Sequence, residues 1–406
     1  MSRPARGSES YRAVLALPHA RLLFATATLA RLSYGLLSLP LLLAVRDGTG
    51  SYAVAGTAAG LFGLTAAVLG PYRSRLVERR RTALPVLTAL YGTLLGCLAA
   101  GSAAGMSAWL AVTLAVLAGV FPPPVGPLMR TRWGRLARDE AQRQSALSLD
   151  AVTESSVFAV GPVLGGLLIA ASSASLALAG ATALAVAGFA AFAAVLGATA
   201  PETAAKTVPA PAPTGVRARL GPPAGAGFVP LLVAVLGSGC ALALAEVGVV
   251  AARGAAVAGP LMALCAVGGA ASGLAYGRVQ WRMAPHRRLL TLGALAAACY
   301  ALPAAASALP AVAIGLLLAG ACSDTLQITA YLQVDLLIAA GSRTEASAWI
   351  NTANNFGSAL GSAAAGLLVS RYGPAPVFAA ATAVPAATTA LAALLRTRRA
   401  AATATA

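Results

Sequence analysis

Apolar residues run along the chain in twelve stretches, approximately 22–45, 52–72, 84–104, 107–129, 148–171, 174–198, 228–251, 255–277, 289–307, 310–337, 346–370 and 374–395. Each is close to the roughly 20 residues that a helix needs to cross a hydrocarbon core about 30 Å thick. Short, arginine-rich connectors separate them. The pattern predicts an all-α membrane protein of twelve transmembrane helices. The first stretch is too long for the apolar region of a cleaved signal and has no small-residue cleavage site behind it, so it is expected to stay in the mature chain.

Residues 199–227 (TAPETAAKTVPAPAPTGVRARLGPPAGAG) are dense in Pro, Ala and Gly and supply no apolar face. They predict a cytoplasmic linker between two six-helix halves, 1–198 and 228–406. A repeat at an offset of 200 points the same way. Ala146, Gly161, Gly166, Leu167 and Leu168 of the fifth span correspond to Ala346, Gly361, Gly366, Leu367 and Leu368 of the eleventh. Both spans begin polar and end glycine-rich, as expected of a parallel duplication.

Composition adds that 58% of residues are hydrophobic, 10% are charged, and mean hydropathy is +0.79, too apolar for a water-soluble chain. The net charge of +17 raises the question of nucleic acid, but its residues are sorted by loop and not by face. With the N-terminus inside, cytoplasmic segments hold 25 of the 29 basic residues, the outer loops hold Arg46, Arg253 and Arg371, and Arg31 stands within a span. This is the asymmetry of the positive-inside rule, and it predicts cytoplasmic termini in a cell membrane. Cys97, Cys240, Cys265, Cys299 and Cys322 fall inside spans without metal or redox spacing.

Two short segments resemble the major facilitator superfamily. Ser74-Arg75-Leu76-Val77-Glu78-Arg79-Arg80-Arg81, after the second span, is similar to the loop signature G-x-L-x-D-R-x-G. Leu76 and Arg79 match and Glu78 keeps the acid, while Ser74 and Arg81 replace glycines. In the fifth span, Gly161-Pro162-Val163-Leu164-Gly165-Gly166 reproduces the G-P-x-x-G-G core found in the family's antiporters, with Val157 where a further glycine is expected. The resemblance implies two six-helix bundles rocking about a midplane site. It also implies a gating role for Leu76, Glu78, Arg79, Gly161, Pro162, Gly165 and Gly166, with Glu78 placed near the start of the eleventh helix. Ser342-Arg343-Thr344-Glu345 fits a capping box at that start.

Ionisable groups inside lipid cost about 2.5–3.5 kcal/mol on insertion scales, which makes each a functional candidate. Arg31, Glu154, Glu246 and Asp324 stand well inside spans. Tyr34 and Ser38 share a face with Arg31. Asp324, Gln327, Tyr331 and Asp335 form a stripe at i, i+3, i+7 and i+11 that must face protein or water. The resembled fold lines its central cavity with the first, fourth, seventh and tenth helices, which places Arg31, Glu246 and Asp324 there. Arg31 and Glu154 fit either a structural ion pair or a proton-coupling pair. Glu246 and Asp324, then Glu154, are the expected proton carriers. The eleventh span offers Asn351, Asn354 and Asn355 opposite Glu154. Phe158 and Phe356 are expected to pack in helix interfaces, and solvated loop charges are the alternative reading for Arg73, Arg75, Arg80 and Arg81. Phe121-Pro122-Pro123-Pro124-Val125-Gly126-Pro127 is either a break within the fourth span or its early end.

The expected function is transmembrane movement of a small molecule by alternating access, with proton-coupled export as the leading reading. Uptake by a symporter or facilitator, and a non-transporting sensor, are the alternatives. With His19 and His286 both beside loops and no H-E-x-x-H or G-x-S-x-G motif, an enzyme is not expected. No cofactor, metal or nucleic-acid partner is expected. Protons and the bilayer are the implied partners of a chain that contains a full pathway as a monomer.

Overall fold

The computed structural model describes residues 7–80, 82–199, 227–253, 255–305 and 308–404. Arg81 and nearly all of the linker at 199–227 therefore lie outside the described residues. The described chain is helical throughout: α1 Gly7–Leu15, α2 Ala20–Thr49, α3 Tyr52–Arg79, α4 Ala83–Ala104, α5 Ala108–Val120, α6 Val125–Leu136, α7 Glu140–Ala171 and α8 Ala174–Ala198 precede the linker. After it come α9 Phe228–Arg253, α10 Ala255–Tyr276, α11 Pro285–Ala305, α12 Leu309–Leu337, α13 Arg343–Tyr372 and α14 Ala375–Ala404. Among the described residues, eleven helical stretches, with α5 and α6 taken as one, are long and apolar enough to cross a membrane. α13 also has the length, at 30 residues, but its first half carries Arg343, Glu345, Asn351, Asn354 and Asn355.

The helices fall into two compact units. One comprises Leu15–Leu136 and Thr153–Ala212, the other Met1–Val14, Ala137–Val152 and Pro213–Ala406. α7 is therefore divided, its polar first half belonging with the helices of the second unit.

Lipid tails are as apolar as leucine, so close packing and hydrogen bonds hold helices together inside a membrane. In the first unit a Cβ on Gly161 of α7 would come within 2.6 Å of the Gly35 Cα of α2, and one on Gly165 within 3.0 Å of the Leu36 carbonyl oxygen. The bare glycines let the two backbones touch. Gly166 has space instead, with Leu39 at 3.8 Å from such a Cβ. The Pro162 side chain lies outside the described residues.

The second unit repeats the device. A Cβ on Gly361 or Gly357 of α13 would collide with the Cys240 or Leu236 carbonyl oxygen of α9. Residues 141–150 and 341–350 also show the same order of exposed and buried positions, as two copies of one helix should. Phe158 and Phe356, expected in helix interfaces, are instead 54% and 48% exposed. Val160, Val163 and Leu360 nearby are exposed as well.

The fourth span is broken and not shortened. α5 stops at Val120, Phe121–Pro124 is irregular, and α6 resumes at Val125. Three consecutive prolines cannot supply helical N–H donors, so carbonyls before them are orphaned. Arg73 satisfies them, donating to the carbonyl oxygens of Gly119 at 3.2 Å and Val120 at 3.0 Å, and to Ala66 at 2.6 Å. The alternative of a solvated Arg73 is thus corrected: it is buried because α3 continues to Arg79. Ser74, which replaces a glycine of the signature, is buried within the same helix, its hydroxyl donating to Gly70 O at 3.0 Å.

Candidate functional site

Three groups of polar side chains stand out. In the first unit, Arg31 of α2 and Arg130 of α6 are 3% and 6% exposed and converge on Gly126. A Cβ there would lie 3.5 Å from one Arg130 terminal nitrogen and 3.8 Å from one of Arg31. Glu154 of α7 accepts a hydrogen bond from Arg130. The charge map had assigned Arg130 to a cytoplasmic loop, but the proline break lets the chain re-enter helix with Arg130 turned inward. Tyr34 donates to the Pro123 carbonyl oxygen within the break, and its ring lies 5.3 Å from that of Phe189. Ser38 is exposed. Leu76 and Arg79 lie exposed on the last turns of α3, with Glu78 half-buried between them.

In the second unit, Asp324 of α12 packs against Gly269 of α10, where any larger residue would displace its carboxylate. Cys265, one turn away, is within electrostatic reach of both Asp324 and Glu246, although Glu246 is exposed on α9. Thr325 joins the same seam, donating to Ser272 Oγ at 3.2 Å. The Tyr331 hydroxyl donates to the Asn351 side chain, and Gln327 and Asn354 are half-buried while Asn355 is exposed. The polar stripe of α12 therefore faces protein, as its spacing required.

The third group was largely missed by sequence reasoning. Asp335, at the end of the stripe, is held by Arg143 of α7 at 2.8 Å and by Arg343 of α13 at 3.2 Å. Arg143 also donates to the carbonyl oxygens of Tyr331 and Leu332, each at 3.2 Å. Beside this pair, three side chains donate to carbonyls at the end of α10 and in the turn that follows it. Gln144 donates to Tyr276 O and, at 2.9 Å, to Val279 O; Ser145 donates to Gly277 O at 2.6 Å; Tyr11 of α1 donates to Leu274 O at 2.6 Å. A Cβ on Gly277 would meet the Ser148 Cβ at 2.9 Å, so glycine permits the approach. Burial raises the Tyr11 pKa, opposed by the Arg278 guanidinium, and keeps the phenol a donor. The polar opening of the fifth span was the legible signal; its partner was not.

The expected capping box does not form. The Ser342 side chain caps nothing, and Glu345 is buried, accepting from Trp349 Nε1 at 3.4 Å. A short 3-10 turn over Ala340–Ser342 carries the chain into α13 in its place. An alanine-lined recess of about 430 Å³ between α11 and α14 has Thr382 as its one polar side chain and lies apart from these groups.

No curated protein matches the sequence. The fold is similar to that of the human organic anion transporter MFSD10 (TETRAN), at 18% identity over 94% of this chain and 99% of that one, with a TM-score of 0.68. A bacterial homologue of the iron transporter ferroportin, solved in the outward-facing state, matches at 14% identity over 93% and 99%, with a TM-score of 0.68. The E. coli fucose:proton symporter matches at 16% identity over 93% and 98%, with a TM-score of 0.60. The family model of the Major Facilitator Superfamily matches residues 23–334. The chain belongs to the Major Facilitator Superfamily and is a multi-pass membrane protein of the transporter type, not an enzyme.

Proposed function

We propose that this transporter exports a small molecule in exchange for protons, by alternating access of two halves, 1–198 and 228–406, joined by a cytoplasmic linker at 199–227. The observation that carries the reading is the carboxylate of Glu154 inside a span, gripped by Arg130 beside Arg31. A charge inside a span is costly without a partner, which makes such a buried pair a functional candidate. Asp324 against Gly269 and the exposed Glu246 are the carriers in the other half, with Gln327, Tyr331, Asn354 and Asn355 as the surrounding polar contacts. The G-P-x-x-G-G segment, whose Gly161 and Gly165 seat α7 on α2, supports the antiporter direction.

Leu76, Glu78 and Arg79 at the end of α3, with Gly161, Pro162, Gly165 and Gly166 of α7, are the gating residues of the first unit; within the second unit Arg143 holds Asp335. The distribution of arginines supports a plasma-membrane location with both termini cytoplasmic, and a monomer contains the whole pathway.

The test is flux of a panel of amphiphilic and charged dyes into inverted vesicles under a proton gradient, comparing wild type with Glu154→Gln, Asp324→Asn and Glu246→Gln. Uptake that collapses with the gradient and with at least one substitution supports exchange. Uptake by the same fold is the second reading, favoured by the likeness to a fucose:proton symporter. Gradient-driven accumulation in right-side-out vesicles alone selects it.

A further inference from the structure

The connection from α10 to α11 and the end of α14 form one basic rim on the second unit. Arg278, Arg282 and Arg287 are exposed, with Trp281 at 40% and Met283 at 43% exposure among them. Beneath them Arg288 is buried. Its guanidinium lies 5.7 Å from the centre of the Tyr276 ring and 5.6 Å from that of Trp281, and it donates to the Tyr276 hydroxyl at 2.6 Å. The Trp281 indole N–H closes the loop onto Tyr276 O at 3.4 Å. Arg288 thus acts as the core of the loop and fixes its shape, which leaves the other three arginines at its surface. From α14, Arg396 joins them: Arg396 and Arg287 both lie within electrostatic reach of His286.

Nothing in the neighbouring sequence neutralises this charge. Residues 247–323 and 346–406 contain no Asp or Glu, while Arg278, Arg282, Arg287, Arg288 and Arg396 fall within them. Glu140, exposed at the start of α7, reaches Tyr276 electrostatically, and its single charge leaves the excess in place. Guanidinium groups pair with phosphate oxygens through two parallel hydrogen bonds. A partly exposed tryptophan in a loop between two spans has the amphipathic character suited to headgroup depth. Basic clusters at this position attract anionic leaflets.

We propose that this rim binds the phosphate of anionic phospholipids, with Arg287 and Arg396 as headgroup ligands and Arg278 and Arg282 extending the contact. The inference needs no particular direction of transport and no coupling ion, so it stands or falls separately from the exchange reading. The experiment is native mass spectrometry of the full chain during stepwise delipidation, with phosphatidylglycerol and phosphatidylcholine offered together. Wild type is expected to retain phosphatidylglycerol preferentially. Arg287→Gln with Arg396→Gln should lower that retention about tenfold, and Arg287→Lys with Arg396→Lys should lower it less, because lysine keeps the charge and loses the paired hydrogen bonds. Arg46→Gln, at a residue already paired with Asp47, should leave retention unchanged. Equal retention of the two lipids by wild type, or a glutamine variant that holds phosphatidylglycerol as wild type does, overturns the proposal. If the glutamine variant does not stay monodisperse, the wild-type lipid comparison decides alone.

Discussion

Arg130 of α6 donates a hydrogen bond to Glu154 of α7 inside the first unit, across the proline break that turns the fourth span inward. Arg130 is 4% and Glu154 24% exposed at the side chain, so the guanidinium is the more dependent on protein partners. Groups sharing a charged hydrogen bond couple by about 0.5–3 kcal/mol. Arg130→Gln and Glu154→Gln should each lower the thermal unfolding midpoint in detergent, and the double variant should be more stable than the sum of the single losses implies. Strictly additive losses would show that the pair is not coupled in the folded protein.

Gly161→Ala places a methyl group against the Gly35 backbone, which no rotamer change relieves. Overpacking of this kind costs about 1–3 kcal/mol. Gly166→Ala, one helical turn on and facing Leu39 at 3.8 Å, should be close to neutral. Fluorescence-detected size exclusion after a heat series distinguishes them, and equal loss in both would remove the close contact from the account.

Arg73 completes three carbonyls, those of Ala66, Gly119 and Val120. Each hydrogen bond from a charged donor contributes about 1.5–3 kcal/mol, and lysine cannot reproduce the planar fork. Arg73→Lys is expected to recover less than half of the stability lost in Arg73→Ala, read as the denaturation midpoint. Full recovery would mean that charge, and not geometry, is what the break requires.

Gln144→Ala with Ser145→Ala removes the side chains that cap Tyr276, Gly277 and Val279. Three neutral hydrogen bonds contribute about 0.5–1.5 kcal/mol each, enough to loosen the loop that follows. Trypsin should then cut after Arg278 and Arg282 several-fold faster than in wild type. Unchanged cleavage would mean the loop is held by Arg288 and its two rings alone.

The Tyr11 hydroxyl donates to Leu274 O, which requires the neutral phenol. Burial raises its pKa above the usual 10.0, so the bond's contribution is fully present below pH 10 and is lost as the pH rises through the raised value. Wild type should therefore exceed Tyr11→Phe in thermal stability near neutrality, with the advantage fading at strongly alkaline pH. An advantage independent of pH would assign the effect to packing.

The sequence by itself laid out the long apolar stretches, because lipid demands apolar helices with every backbone group satisfied internally, and eleven of the described helical stretches have that length and composition. It also pointed to a duplication, since Gly161 and Gly361 hold equivalent places 200 residues apart, and a Cβ on either would strike the backbone of a neighbouring helix. The stripe ending at Tyr331 and Asp335 was legible for the same reason, since helical spacing alone puts those residues on one face.

Partnership was decided by the tertiary structure. Arg73, Arg130 and Arg143 read as loop charges, because position relative to apolar stretches says nothing about where a long side chain reaches. α3 and α7 each extend beyond their apolar stretches, carrying Arg73 to the broken α5 and Arg143 to Asp335, while the three prolines rotate Arg130 onto Glu154. Arg130 finds Glu154 across 24 residues of sequence, Arg143 reaches the Tyr331 carbonyl across 188, and only the folded chain brings such residues within a hydrogen bond of each other.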